Sequence, residues 1–297
     1  MTQSRCGFVA VVGRPNVGKS TLVNAIMGSK VSIVTHKPQT TRHRILAVYT
    51  MMDTQIIFVD TPGLHRRAGK AMNRMMNRTA VNALVGADLV LFVSDATHWT
   101  DEDNDVLQRL RKNRAPVIAL LNKVDRVNPK EQLLETIAVM AERYDFAEIL
   151  PISALKHDNL DALLECIPAF LPESPPLFPE DMLTDRSAEF HASEVIREKL
   201  TILLHQELPY GLTVQIERYD QDAQRITINA IIWVERDSQK GMVVGKGGNI
   251  LKKVGRSARI ELSERLSQRV HLELWVKVKD NWSDSEKDLH RLGYESP

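Results

Sequence analysis

The chain has 297 residues, of which 43% are hydrophobic and 26% are charged, a composition typical of a folded protein of about two domains. The net charge of +1 argues against a wholly basic nucleic-acid binder, and the two cysteines, Cys6 and Cys166, argue against a disulfide framework. The sequence has no signal-peptide pattern and no apolar run of the roughly 20 residues that a membrane span needs. We therefore expect a cytoplasmic protein.

Short apolar runs alternate with helical patterns from residue 7 to about residue 170. The runs are nearly continuous in Val, Ile and Leu, as in strands that are buried on both faces. This alternation predicts an α/β domain with a mostly parallel sheet and helices on both faces. The run RILAVYT before QIIFVD predicts an antiparallel edge hairpin with its turn at residues 51–53. The predicted strands are FVAVV, QIIFVD, DLVLFVSD, APVIALLNK and EILPIS, and the predicted helices are 19–27, 101–112, 130–143 and 160–170.

A proline-rich stretch, IPAFLPESPPLFPED, interrupts this pattern with five prolines between Pro168 and Pro179. Proline removes a backbone donor and restricts φ, so the stretch should form neither a helix nor a central strand. The order of elements then changes to helix 186–206, strand 213–219, strand 225–235, helix 249–266, strand 270–278 and short helix 283–292, which predicts a small α+β domain. We therefore expect a P-loop domain at residues 1–170, a linker at 171–183 and a second domain at 184–297.

The segment GRPNVGKST matches the phosphate-binding pattern G-x-x-x-x-G-K-[ST] and lies between a predicted strand and a predicted helix. Backbone N–H groups of such a loop surround phosphate oxygens, and the helix N-terminus adds its positive end. Lys19 should reach the β and γ phosphates, and the Ser20 hydroxyl should bind Mg²⁺. The predicted nucleotide-binding residues of this loop are Gly13, Arg14, Pro15, Asn16, Val17, Gly18, Lys19, Ser20 and Thr21.

The segment VDTPGL follows the next core strand and supplies a second predicted part of the pocket. Asp60 lies at the strand end, where a P-loop NTPase places a carboxylate in the outer shell of the metal. Gly63 can offer its N–H to a γ-phosphate. The predicted nucleotide-binding residues here are Asp60, Thr61, Pro62 and Gly63.

The segments LLNKVD and ISALK predict which base the pocket accepts. A carboxylate at Asp125 can accept hydrogen bonds from guanine N1–H and the 2-amino group, whereas adenine would leave that carboxylate unpaired. The backbone after the last strand should contact the guanine oxygen. The predicted residues are Asn122, Lys123, Asp125, Ser153, Ala154 and Leu155, and the predicted ligands are GTP and GDP with Mg²⁺.

The second domain contains a G-x-x-G turn, Gly245-Lys246-Gly247-Gly248, before a predicted helix. The order of elements fits a type II KH module, which binds about four nucleotides of single-stranded RNA against such a turn. Residues 236–259 hold seven basic residues and one acidic residue, which predicts a groove that follows phosphates. Val243 and Ile250 are candidates for its apolar floor. The predicted RNA-binding residues are Arg236, Lys240, Val243, Gly245, Lys246, Gly247, Gly248, Ile250, Lys252, Lys253 and Arg256.

These motifs, with GRPNVGKSTL, PQTTRHR and VDTPGLH in this order, resemble those of the bacterial Era, Der and MnmE GTPase families. A single P-loop differs from the two of Der, and the tRNA-modifying sequence of MnmE is absent. The segments FPEDMLTDRSAEFHASEVIREKLTILLHQELPY, VHLELWVKVKDNW and LGY extend the resemblance to the Era family over nearly the whole chain. That resemblance implies a monomeric GTPase that binds 16S rRNA near its 3′ end, acts in assembly of the 30S subunit and associates peripherally with the inner membrane.

The resemblance also assigns roles within the pocket. Thr41 would bind Mg²⁺ in the GTP state, residues 31–44 would be switch I, and residues 60–77 would be switch II; both stretches lack clear periodicity. Lys19, Thr41 and Gly63 would be the catalytic group. Leu64 occupies the position of the water-orienting glutamine of Ras-like proteins, which predicts slow intrinsic hydrolysis, on the order of 10⁻⁴ per second. Asn16 would hold K⁺ beside the phosphates.

Two other function classes are less consistent with the residues. A GTPase that powers chemistry on RNA needs a catalytic cysteine, cofactor site or metal cluster, and neither cysteine lies in such a setting. A membrane or cell-division switch would use the basic stripe on anionic lipid, but the apolar side of helix 249–266 is better used against a sheet. Trp233 and Trp275, in predicted strands, are expected in the core, whereas Trp282 lies in a predicted loop where it can be exposed.

Overall fold

The computed structural model describes residues 4–64, 69–204 and 208–294, which divide into two compact units. Along the chain the main division falls between Asp185 and Arg186, and residues Lys70–Met72 are grouped with the second unit.

The N-terminal unit contains a sheet with the strand order β2-β3-β1-β4-β5-β6. Every neighbouring pair in it is parallel except the β2–β3 hairpin, where Ile45 pairs with Asp60 and Met51 with Thr54. The predicted mostly parallel sheet with an antiparallel edge hairpin is confirmed. The strands are β1 Arg5–Val12, β2 Ile45–Met51, β3 Thr54–Asp60, β4 Leu89–Asp95, β5 Val117–Asn122 and β6 Glu148–Ile152.

Both faces of this sheet are covered, because successive side chains of a strand point to opposite faces. On β1, Ala10 and Val12 belong to a core cluster with residues of α2, α3 and α4. Val9 and Val11 point the other way and are also fully buried. The helices of this unit are α1 Lys19–Met27, α2 Ala71–Asn82, α3 Asp101–Leu110, α4 Gln132–Arg143 and α5 Leu160–Cys166.

Helix α2 corrects the expectation that residues 60–77 lack periodicity. Met75, Met76 and Ala80 are buried at helical spacing along it. The expected switch II segment also includes residues 65–68, which lie outside the described residues. Residues 31–44, by contrast, form no helix or strand, and all of them are described.

The proline-rich segment lies along the hairpin side of the N-terminal unit. The Gln55 side chain is buried, and its Oε1 accepts hydrogen bonds from the N–H groups of Leu177 (2.8 Å) and Phe178 (2.9 Å). Its Nε2 donates to the Phe178 carbonyl at 2.9 Å. Farther along, the Val48 N–H donates to the Leu183 carbonyl at 3.0 Å. The first four residues of the segment, Ile167–Phe170, form a short 3-10 helix, so the expectation of no helix is wrong there. The rest forms neither a helix nor a central strand, and hydrogen bonds from Gln55 and from the Val48 backbone hold it on the unit's surface.

The C-terminal unit contains the sheet β7-β8-β9, in which β7 and β8 are antiparallel and β8 and β9 are parallel. Helices α6 and α8 share one core cluster with the even-numbered residues of β8 and β9. Helix α7 occupies the apolar stretch before the G-x-x-G turn and was not predicted. The elements are α6 Ala188–Leu203, β7 Leu212–Gln221, β8 Arg225–Val234, α7 Asp237–Val244, α8 Asn249–Arg265, β9 Arg269–Val278 and α9 Glu286–Arg291.

The tryptophans differ from expectation. Trp282 is fully buried, and its Nε1 donates to the Gly211 carbonyl at 3.3 Å. Trp275 is 42% exposed, because in β9 it points away from the face that α6 and α8 cover. Trp233 is half-buried and donates to Gln215 Oε1 at 2.9 Å. The assignment of Trp275 to the core was therefore wrong, since strand patterning identifies strands but not which face is covered.

Candidate functional site

The phosphate-binding loop runs from the end of β1 to the start of α1, as the sequence predicts. Gly18 has φ 104°, and a Cβ atom there would lie 2.3 Å from the Asn122 Nδ2 atom, so only glycine fits. Asn16 has φ 63°, a left-handed conformation that asparagine tolerates better than most residues. The loop is thus shaped by its own glycine and asparagine.

Lys19 lies within this loop rather than in solvent. Its side chain is buried, and Nζ donates to the carbonyls of Gly13 (3.1 Å) and Arg14 (2.9 Å). Burial lowers the pKa of Lys19 to about 8. A phosphate oxygen beside the ammonium group would favour its charged form, so the site is suited to an anionic ligand.

Three side chains beside Lys19 form a set of oxygen donors. The Ser20 and Thr41 hydroxyl oxygens lie 2.7 Å apart. Asp60 is fully buried, and neither of its carboxylate oxygens has a hydrogen-bond partner within the described part of the chain; burial raises the pKa of this carboxyl group. Hydroxyl and carboxylate oxygens are the protein ligands that Mg²⁺ prefers, so these residues fit the predicted Mg²⁺ site.

The same pocket brings together the separate sequence segments. Its walls come from the phosphate-binding loop, the start of α1, residues 33–35, residues 39–41 and Gly63. A Cβ atom on Gly63 would lie 2.9 Å from the Pro15 backbone nitrogen, so the two loops approach closely. Lys19, Thr41 and Gly63, the predicted catalytic group, therefore line one pocket.

Asn122 ties three loops of the pocket to one another. Its side chain is buried, and Nδ2 donates to the Val17 carbonyl at 2.7 Å. Its Oδ1 accepts from the N–H groups of Lys123 (2.8 Å) and Ala154 (3.0 Å). The predicted base-binding segments are thus held to the phosphate-binding loop by one amide.

The predicted base-recognition end lies beside this amide. The Asp125 carboxylate is exposed, and its Oδ1 accepts a 2.6 Å hydrogen bond from the buried Ser153 hydroxyl. The Lys123 Nζ atom donates to the Asn16 carbonyl at 2.8 Å. An exposed, oriented carboxylate next to the loop is the arrangement that guanine recognition requires.

The G-x-x-G turn connects α7 to α8 in the C-terminal unit. Gly245, Gly247 and Gly248 have φ values of 73°, 62° and 75°, which side chains rarely adopt. A Cβ atom on Gly245 would lie 2.7 Å from the Ile250 Cγ1 atom, whereas one on Gly247 would meet nothing within 4 Å. The turn therefore exposes backbone directly at the N-terminus of α8.

Exposed cations surround this turn. In the described part of the chain none of them takes part in an ion pair; they are Arg236, Lys240, Lys246, Lys252, Lys253, Arg256 and Arg259. Ile250 is half-buried next to the turn. Val243 is fully buried in the core, so the expectation that its side chain lines the groove floor is wrong. The unpredicted helix α7 explains this, because it turns Val243 inward.

Two protein-family models match this chain, one in each of its two units. A family model described as "50S ribosome-binding GTPase" matches residues 8–123, and a KH-domain model matches residues 207–283. The chain is 50% identical to GTPase Era of Vibrio parahaemolyticus over 291 residues, which cover 97% of this chain and 91% of that protein. The chain belongs to the Era family of GTPases. It is also 48% identical to GTPase Era of Stenotrophomonas maltophilia, with 99% of each chain covered.

Solved Era structures agree with this fold over its full length. An Era structure in complex with MgGDPNP and nucleotides 1506–1542 of 16S ribosomal RNA has a TM-score of 0.94 and 40% identity, with 98% of this chain and 99% of that chain covered. An Aquifex aeolicus Era variant bound to GDP and AlF4⁻ gives the same values. The predicted combination of a P-loop GTPase domain and a KH domain is thereby confirmed for this Era-family chain.

Sequence reasoning missed two ion pairs that brace the Era-family pocket. Lys123 Nζ lies 2.7 Å from Asp95 Oδ2. Burial acts to raise the pKa of Asp95, but hydrogen bonds from Lys123 and Thr97 outweigh it and lower that pKa. Arg14 Nε lies 2.9 Å from Oδ2 of the fully buried Asp103 at the start of α3. Thus the Arg14 guanidinium is used within the protein.

Within the described ranges, no helix of this Era-family chain is both long enough and apolar enough to cross a bilayer.

Proposed function

We propose that this chain is a GTP-hydrolysing switch that binds 16S rRNA near its 3′ end and acts in assembly of the 30S ribosomal subunit. The observation that carries the proposal is the full-length likeness to the Era structure that contains MgGDPNP and nucleotides 1506–1542 of 16S rRNA. The nucleotide pocket and the G-x-x-G turn with its unpaired cations supply the two chemistries that such a complex uses.

Different pocket residues bind different parts of GTP. Lys19 and the backbone of loop 13–18 bind the phosphates, and the Gly63 N–H contacts the γ-phosphate. Ser20 and Thr41 would hold Mg²⁺ directly, with Asp60 in its outer shell; the ion, when bound, neutralises charge that develops on the phosphates. Asp125 selects guanine, and the residues 153–155 contact the guanine oxygen through their backbone.

The C-terminal unit supplies the RNA contacts. The three glycines of the turn let the sugar-phosphate backbone approach, and Lys246, Lys252, Lys253 and Arg256 add salt-dependent attraction. We propose residues 1–170 as the GTPase domain, 171–183 as the linker and 184–297 as the RNA-binding domain.

The test is RNA retention by a variant that reverses charge at the turn. We expect Lys246→Asp combined with Lys252→Asp to abolish binding of a labelled RNA that copies nucleotides 1506–1542, because two phosphate contacts become repulsions. Filter binding at physiological KCl measures it. The matched control is Lys287→Asp on α9, an exposed cation outside the stripe, which should bind as wild type does.

If the double variant retains the RNA as strongly as wild type, the groove assignment is wrong. Equal retention of a scrambled RNA by wild-type protein would contradict sequence-selective rRNA binding and favour a generic basic surface.

We also propose a monomer in the cytoplasm that associates peripherally with the inner membrane. Exposed cations on one face of α8 support attraction to anionic lipid, although the apolar face of α8 is buried in the core. Co-sedimentation with anionic vesicles tests this part alone; equal recovery with neutral vesicles would contradict it.

A further inference from the structure

The position that carries the water-orienting glutamine in Ras-like proteins is used for packing here. Leu64 directly follows Gly63, is buried, and belongs to the core cluster that contains Val12 and Phe92. Its side chain therefore faces the core and has no polar atom for a water molecule. Position 64 therefore supplies no group that could orient the attacking water.

Most of the hydroxyl groups in the switch I wall already have partners. The hydroxyl oxygens of Thr35 and Thr40 lie 2.6 Å apart, and the Thr40 hydroxyl donates to the Lys37 carbonyl at 2.7 Å. Thr41 pairs with Ser20 in the oxygen-donor set described above. These hydroxyl groups are thus committed to shaping switch I or to the metal site.

Gln39 differs from these neighbours. It lines the same pocket, and its φ of 59° is a left-handed conformation that costs about 1 kcal/mol or more for a residue with a side chain. Its Nε2 donates to Asn73 Oδ1 on helix α2 at 3.3 Å. Its Oε1 is buried and has no hydrogen-bond partner among the residues that the structure describes. The amide is thus held at its NH₂ end and keeps an unused acceptor on a residue that lines the pocket.

We propose that Gln39 orients the attacking water in GTP hydrolysis, with Asn73 as the positioning residue that holds its amide. The inference rests on the proposed GTPase function of the pocket. Gln39 Oε1 accepts a hydrogen bond from the water, whose oxygen bonds to the γ-phosphorus as the bond from that phosphorus to the β–γ bridging oxygen breaks. The water proton ends on the released phosphate, and Gln39 gains or loses none.

This arrangement also connects the two switch segments. Gln39 lies in the irregular stretch 31–44, and Asn73 lies in the first turns of α2. The water-orienting amide is in place only when both segments adopt this geometry. A shift of about 1 Å in either segment would misplace the water, which is enough to cost about 100-fold in rate in an enzyme site.

The test is single-turnover hydrolysis of bound GTP by Gln39→Ala at physiological KCl. We expect the rate to fall at least tenfold, while affinities for GDP and GDPNP stay within twofold of wild type. Formation of a GDP–aluminium fluoride complex, a readout independent of turnover, should be lost. His36→Ala, an exposed neighbour in the same segment, is the control and should hydrolyse at the wild-type rate.

The positioning role of Asn73 is separated by two substitutions. Asn73→Asp keeps the acceptor oxygen for Gln39 Nε2 and should retain most of the rate, whereas Asn73→Leu should lose several-fold. An unchanged hydrolysis rate in Gln39→Ala, or a loss explained entirely by weaker GTP binding, would overturn the proposal. If the wild-type protein itself fails to bind or hydrolyse GTP, the proposed GTPase function is wrong. If the wild-type protein hydrolyses GTP and Gln39→Ala does so at the same rate, only the role of Gln39 is wrong.

Discussion

The nucleotide pocket and the G-x-x-G turn differ in how their polar groups are placed. In the pocket, the buried Asn122 side chain is bonded to backbone groups of Val17, Lys123 and Ala154. Around the turn, the cations are exposed and form no ion pair with any residue that the structure describes. Removing one partner from a buried network costs much free energy, because it leaves a desolvated polar group without a hydrogen bond. An exposed charge contributes only a small attraction that salt screens. We therefore expect a single substitution in the pocket to cause a large loss of nucleotide affinity, and a single substitution at the turn to cause a small loss of RNA affinity.

Removing the amide of Asn122 should produce the largest effect. Asn122→Ala leaves two backbone N–H groups and one carbonyl of the pocket without their partner, at about 1–3 kcal/mol each. We expect GDP affinity to fall at least about 100-fold, since even about 1 kcal/mol per group totals about 3 kcal/mol and each 1.4 kcal/mol is a factor of about ten. Titration with a fluorescent GDP analogue measures it. Asn82→Ala, at an exposed position of α2, is the matched control, and an affinity within threefold of wild type for Asn122→Ala would contradict the account.

Replacing K⁺ by Na⁺, or changing Asn16, should have an intermediate effect on the rate of GTP hydrolysis. We propose slow intrinsic hydrolysis with K⁺ held by Asn16 beside the phosphates, where the cation stabilises developing charge; KCl should accelerate hydrolysis on the order of tenfold over NaCl. Asn16→Ala should abolish that difference. The backbone of Asn16 is left-handed, so Asn16→Gly separates the conformational role from the side-chain role. No K⁺ preference in wild type, or rapid turnover of many GTP per second without a partner, would remove this hypothesis.

The smallest effect should come from single cations of the turn. Lys253→Ala removes one exposed, unpaired charge from α8, so RNA affinity at physiological salt should fall only about two- to threefold. The slope of log affinity against log salt should decrease by about 0.7, the contribution of one phosphate contact on a single strand. Binding measured over a series of KCl concentrations gives both values. A loss as large as that of the double charge reversal would mean that Lys253 contributes more than screened charge.

Both the pocket and the turn could be located from the sequence, because their backbone conformations require glycines at short, fixed spacings. Glycines at positions such as 18 and 245 are needed where φ is positive or a Cβ atom would clash, and their spacing is visible without a structure. Continuous apolar runs likewise predicted the core strands, and the turn between β2 and β3 predicted their hairpin. These features are local, so a sequence pattern contains them.

Contacts between distant residues could not be predicted in this way. Gln55 bonds to Leu177 and Phe178 across the unit, and Asp103 pairs with Arg14, without any pattern that links these positions. Helix α2 has its apolar residues at helical spacing, but methionine, asparagine and arginine are mixed in it, and no Ser, Thr, Asp or Asn stands just before it in the sequence. Trp275 shows that a strand pattern does not reveal which sheet face has a neighbour.

The central claim is that nucleotide state and rRNA binding are coupled within this chain. It is tested most directly by measuring affinity for the RNA copy of nucleotides 1506–1542 with GDP-loaded and GDPNP-loaded protein, and then the affinities for both nucleotides with and without that RNA. The account predicts tighter, sequence-selective binding in the GDPNP form, and by linkage an increase in GDPNP affinity relative to GDP by the same factor. Equal RNA affinity in both states would contradict it.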